Sequence, residues 1–188
     1  MGRLPYLSAE DLPQDRRRLL DRPINLFRAL AHNPAVLEWM AGLGAWIRHE
    51  CPLDARLREL AILQVGYLAD SPYEFTHHVE ISRTFGVVER DVESIAAHDR
   101  GEATNLDEDA VLVLDVARQL TEGTTLDDVL WGHLSARFSE SEILDLIFVV
   151  THYVQVVRVL GALQIDVEPE YEPYRRLLCP FERPSGEG

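Results

Sequence analysis

The sequence predicts an all-α fold, a single-domain bundle of seven or eight helices. Three observations predict it. Apolar residues recur at three- and four-residue spacing along most of the chain, helix-capping residues punctuate those runs, and no stretch of useful length alternates apolar with polar. At 188 residues, 46% hydrophobic and 27% charged, the chain is long enough for one sizeable core and ordinary for a globular domain.

Residues 1–22 are weakly patterned, contain prolines and arginines, and read as an N-terminal arm. Pro23 to Ala31 reads as a short helix. Asn33 and Pro34 supply an N-cap and a first-turn proline for the next, which carries Val36, Leu37, Trp39, Met40, Leu43 and Trp46 until Cys51-Pro52 breaks it. Asp54 caps a third helix. There Leu57, Leu60, Ala61, Ile62, Leu63, Val65 and Leu68 leave almost no polar face after Glu59 apart from Gln64, the pattern of a helix buried on most sides. After a one-turn break, Ser71 and Pro72 open a fourth helix, which Phe85-Gly86 closes with Gly86 as a left-handed C-cap.

Glu89 to His98 follows as a short helix, and the turn-rich run Asp99–Asn105 divides the chain into two helical halves. Asp107 caps an amphipathic helix through Leu120. Gly123-Thr124-Thr125 interrupts, and residues 126–138 carry Leu130, Trp131 and Leu134. Ser139 with Glu142 forms a capping-box pattern before the long last helix, which ends near residue 163. The domain thus spans residues 23–165. The tail, 166–188, is proline-rich and not helical throughout, yet Tyr171, Tyr174, Leu177, Leu178 and Phe181 are too apolar for a free linker. It is expected to pack along the body or a partner subunit, with residues 183–188 disordered.

A formal net charge of -14 repels a phosphate backbone, and Arg16-Arg17-Arg18 is too short a run to override it, so nucleic acid is excluded as a partner. Cys51 and Cys179 lie far apart with no CxxC spacing, which argues against a dithiol centre or a zinc site and for a reduced pair. The N-terminus has no apolar signal-like run. Residues 142–163 contain Asp145, His152, Gln155 and Arg158, which read as too polar for a bilayer. No membrane partner and a cytoplasmic location are expected.

The chemistry concentrates around the break after the third helix. Glu59 stands at the polar entrance to that buried helix; Glu74 and His78, four apart, share one side of the next, with His77 about 100° further round. The spacing runs Glu59, eleven residues, Ser71, two residues, Glu74, three residues, His78, inside the text RELAIL and YEFTHHVEISRTFGV. It resembles the carboxymuconolactone decarboxylase and alkyl hydroperoxidase D-like superfamily over roughly residues 24–165. The Tyr73-Glu74-Phe75 run is similar to the decarboxylase-like branch, and Ser71 and Glu74 stand where the peroxidase branch carries its two cysteines.

The resemblance implies a helical subunit that forms a homo-oligomer, with a cofactor-independent site between helices near a subunit interface. It implies acid–base proton transfer on a small organic acid or lactone, with Glu59, Glu74 and His78 catalytic and Arg56, Ser71 and His152 against the substrate. Two alternatives accompany it: a peroxidase-related protein without the cysteine pair, and a non-catalytic oligomeric binding or scaffold protein.

Each residue also has a plainer role. Ser71 and Glu74 make a capping box, and His78 fits a core histidine bonded to a carbonyl. Glu59, if buried beside His78, has its pKa raised by lost solvation and lowered by the imidazolium, which suits proton transfer near neutral pH; otherwise it pairs with Arg56 or Arg58. Arg56 is a candidate anchor for a substrate carboxylate. Thr151, Gln155 and Arg158, edged by His152, form a polar seam that reads as a pocket wall or a subunit-facing groove. Glu74 and His77 have the spacing of a helical di-metal site, but no second copy exists, so neither metal nor cofactor is expected, and His77 reads as a surface or interface residue.

Overall fold

Helical periodicity becomes nine α-helices and two 3-10 helices among the described residues, 2–178, of a computed structural model, and no strand occurs among them. Eight of the α-helices lie within 23–165, and the ninth is in the tail. They fall into two compact units, residues 2–51 with 159–169 and residues 52–158 with 170–178.

In the first unit, 3-10 helices at Ala9–Asp11 and Gln14–Leu20 precede α1 (Asn25–Leu30) and α2 (Pro34–His49). The segment expected as an arm is a packed one: Leu12 and Leu20 are buried with Ala31 and Leu37. Pro13 separates two short turns, so no run is long enough to show a period. Arg28 ties the segment down, donating from Nε to Leu7 O at 3.0 Å and from Nη2 to Tyr6 O at 3.2 Å. Asn33 caps α2 as its position predicts, accepting from Val36 N. Asp166 joins the same unit through the Gly2 amide at 2.8 Å and the Tyr6 hydroxyl at 2.9 Å.

The second unit is built on α3 (Ala55–Leu68), which packs against α4 (Pro72–Arg83), α5 (Glu89–Asp99) and α6 (Glu108–Glu122). Every residue of α3 from Leu57 to Gly66 is buried, as its nearly unbroken apolar text requires. Asp54, Asp107 and Asp127 cap α3, α6 and α7 (Asp128–Arg137) through their side chains. Asp70, at φ 50, takes the left-handed turn between α3 and α4, a conformation Asp tolerates better than most residues. Gly66 lets the two helices meet closely: a Cβ there would lie 3.2 Å from Phe75 N. That approach brings Glu59 within reach of α4.

Helix α8 (Glu140–Leu163) contributes its residues through Arg158 to the second unit. By length and composition alone it is sufficient to cross a membrane, which corrects the reading of its polar residues as disqualifying; half of that stretch is buried inside the protein, as in a core helix. Ile143, Leu146, Val149, Val150 and Tyr153 point inward, while Leu144 (57% exposed) and Phe148 (58%) begin an outer stripe continued by Thr151, Gln155 and Arg158. In the tail, α9 (Glu172–Leu178) packs along α4. Tyr171 stacks on His77 at 3.7 Å, and the Arg83 guanidinium lies 5.1 Å over Tyr174. Cys179, Phe181 and the end expected to be disordered lie outside the described residues.

Candidate functional site

The second helix of the motif starts differently from a plain capped helix. Ser71 occupies the N-cap position, buried, but its side chain makes no cap bond; Pro72 and the backbone bond from Phe75 N to Ser71 O set the first turn. Glu74 is free of capping duty. Its Oε1 lies 3.1 Å from His78 Nε2, one turn along the helix. On the other side of the ring, His78 Nδ1 lies 2.8 Å from Glu59 Oε2. The second oxygen of Glu59 accepts from Arg58, at 3.3 Å from Nη2 and 3.4 Å from Nε, and the guanidinium rests 4.7 Å over the Phe85 ring.

Four side chains therefore form one line, Arg58, Glu59, His78, Glu74. Their exposures are 2, 2, 5 and 4% respectively, so none is a solvated surface group. Both nitrogens of His78 face carboxylate oxygens, an arrangement satisfied only by a ring carrying both protons. Burial alone would push the His78 pKa down; the charges of Glu59 and Glu74 and the hydrogen bonds to both outweigh it and raise it to about 9. Burial likewise pushes Glu59 up, and the neighbouring His78 and Arg58 cations hold it below the usual carboxylate range. This corrects the expectation of a Glu59–His78 pair poised near neutral pH. His78 stays an imidazolium there and is no base.

His152 and Tyr153 of α8 complete the surroundings. The Tyr153 ring stands edge-on to His78 at 4.9 Å and to His152 at 5.2 Å. His152 is buried, and its Nδ1 has no hydrogen-bond partner among the described residues. Burial lowers its pKa, with Glu74 opposing and His78 adding to the shift, so the ring is neutral at neutral pH. Glu59, Glu74, His78 and His152 thus come together. Thr151, Gln155 and Arg158 do not join them, since all three lie on the exposed face of α8.

Arg56 is elsewhere. Its guanidinium grips Asp91 with two bonds, at 3.0 and 2.9 Å, and Asp107 with a third at 2.7 Å, tying α3 to α5 and to the cap of α6. It is a structural clamp, not a free anchor for a substrate carboxylate. Arg56→Leu is expected to lower stability by about 2 kcal/mol, since charge-assisted bonds to the half-covered Asp91 are lost, and to leave ligand responses unchanged. Thermal unfolding with and without ligand checks this; a variant that melts like the wild type but loses ligand responses would restore the anchor role.

Two members of the site were not among the candidates. Arg58 was visible as a possible partner of Glu59, and its place in a helix otherwise without a polar face was the available signal. Tyr153 had no signal beyond its position next to His152. His77 is also corrected: it is buried, stacked between Tyr73 and Tyr171, with Nδ1 bonded to Tyr73 O at 2.7 Å. A cavity of about 550 Å³ lies along α6 and α7, lined by residues such as Val111, Leu130, His133 and Arg137, and none of the candidates borders it. Among the described residues, no group of three or more His, Cys, Asp or Glu is arranged to hold a metal ion.

Comparison with known proteins gives the following. The model of the carboxymuconolactone decarboxylase family matches residues 34–118. A peroxidase-related protein with an alkylhydroperoxidase AhpD core, from Ralstonia eutropha JMP134, superposes with a TM-score of 0.79 at 17% identity, covering 90% of this chain and 94% of that one. A peroxidase-related protein from Silicibacter sp. TM1040 gives 0.77 at 20% identity, covering 90% and 93%. A variant of the debrominase Bmp8 in complex with 2,3,4-tribromopyrrole gives 0.72 at 14% identity, covering 92% and 95%. No curated protein sequence matches the chain.

Proposed function

We propose that this chain, which belongs to the carboxymuconolactone decarboxylase and alkyl hydroperoxidase D-like superfamily, is a cofactor-independent enzyme acting by acid–base proton transfer on a small organic acid or lactone. One observation carries the reading: a buried carboxylate–imidazolium–carboxylate chain ends in Glu74, whose Oε2 has no hydrogen bond among the described residues. Glu74 takes a proton from the carbon next to a carbonyl. The C–H electron pair moves onto the carbonyl oxygen as an enolate, and the proton returns to carbon from Glu74. His78 donates to Glu74 Oε1 and steadies it as its charge changes, while Glu59, held by Arg58, orients the ring. In a decarboxylation the electron pair of the broken C–C bond forms the same enolate, carbon dioxide leaves, and Glu74, recharged through His78, protonates carbon. The outer stripe of α8, beginning with Leu144 and Phe148, is the face through which such a chain would self-associate.

Solvent deuterium entering the α-carbon of small lactones and organic acids, followed by NMR, tests the proposal. Glu74→Gln is expected to slow that exchange by ~10²–10⁴, the usual worth of one positioned acid–base group. Equal exchange in the variant would sink it. The peroxidase-related neighbours favour a second reading, but a dithiol peroxidase needs a thiolate that Ser71 and Glu74 do not supply. Thiol-dependent reduction of cumene hydroperoxide by the wild type would favour that second reading.

A further inference from the structure

We infer that the site takes an uncharged carbonyl compound and discriminates against a carboxylate of similar shape; this rests on the acid–base reading above and names its substrate class. Charge balance and burial carry the argument. Arg58, Glu59, His78 and Glu74 alternate in sign along one hydrogen-bonded line and sum to zero. Each cation is already engaged: Arg58 on Glu59, His78 on both carboxylates, and Arg56, the next along α3, on Asp91 and Asp107. His152, the other ring beside Glu74, is neutral. An arriving carboxylate would meet Glu74 with no cation left to receive it.

Burial sharpens the choice. Ser71, Glu74, His78 and His152 keep only a few per cent of their surface, so a ligand must shed its water to touch Glu74. An ion that loses hydration without gaining a counter-ion is disfavoured far more than a neutral molecule of the same size. The neutral ligand finds a partner instead: His152 Nδ1 is a buried polar atom without one, and a carbonyl or hydroxyl oxygen satisfies it while a neighbouring C–H faces Glu74.

The test is a matched pair, δ-valerolactone and its hydrolysis product 5-hydroxyvalerate, titrated at neutral pH into protein with ¹⁵N-labelled histidine, reading the ring signals of His78 and His152. The wild type is expected to bind the lactone on the order of 10-fold or more tightly than the hydroxy acid, as a like-charge contact implies. In Glu74→Gln the imidazolium loses one of its two carboxylates, and the preference should move toward the hydroxy acid. The wild-type comparison decides even where the variant does not fold. Equal or tighter binding of the hydroxy acid, or no response of either ring to both compounds, overturns the inference. Deuterium exchange separates it from the parent reading. A preferred lactone that never exchanges would retain the charge selectivity and refute the proton transfer. A preferred hydroxy acid exchanging in a Glu74-dependent way would do the reverse.

Discussion

Replacing Glu59 by Gln is expected to destabilise the protein by about 3–5 kcal/mol, seen as a lowered urea midpoint near neutral pH. Glu59 is the carboxylate between two buried cations, with one oxygen for Arg58 and the other for His78. An amide of the same shape presents an oxygen to only one of them and turns N–H donors on the other, so the guanidinium is left buried without its counter-charge. Arg58→Met should cost a similar amount for the opposite reason. The pair of substitutions together, Arg58→Met with Glu59→Gln, should cost much less than their sum, because His78 and Glu74 still balance one another. Additive costs in that cycle would mean that Arg58 and Glu59 act independently and that no four-member line exists.

How far the sequence carries depends on the separation between partners. Ser139 and Glu142 read as a capping box and form one, with Ser139 N on Glu142 Oε2 at 2.8 Å and Glu142 N on Ser139 Oγ at 3.3 Å. Ser71 and Glu74 carry the same local signature and do not, because His78, also within the helix but facing α3, offers Glu74 a charged partner. The local text was identical in kind; the neighbouring helix decided. Glu59, Glu74 and His78 were legible through their spacing. Arg56 was misread because Asp91 and Asp107 lie 35 and 51 positions away, and nothing local marks an arginine as already claimed. His77 was misread for a like reason, since the ring that covers it, Tyr171, comes from the tail. The burial of Leu12 and Leu20 escaped notice because 3-10 turns are too short to display a period.

Stability is also expected to fall as the pH rises through about 9, and His78 is the cause. Its pKa is raised from 6.5 to about 9 in the folded protein, burial opposing the shift and the two carboxylates driving it. A raised pKa means that the folded state holds the proton more tightly than the unfolded one. The stabilisation is complete below about 6.5 and disappears as the pH passes the folded value, with a size on the order of 3 kcal/mol. Glu59 has the opposite sign: its pKa is lowered, so its contribution is present above the unfolded value and fades as the pH falls through the folded one. The two limits leave greatest stability in the mildly acidic range between them. Urea midpoints of the wild type at about pH 6, 7.5 and 9 should trace the alkaline loss, and His78→Gln, though less stable throughout, should lack that slope. A wild-type curve flat from pH 6 to 9, or the same slope in the variant, would show that the ring is not held as an imidazolium. Glu74 would then face a neutral ring, and the charge balance that makes it a base beside an uncharged ligand would be gone.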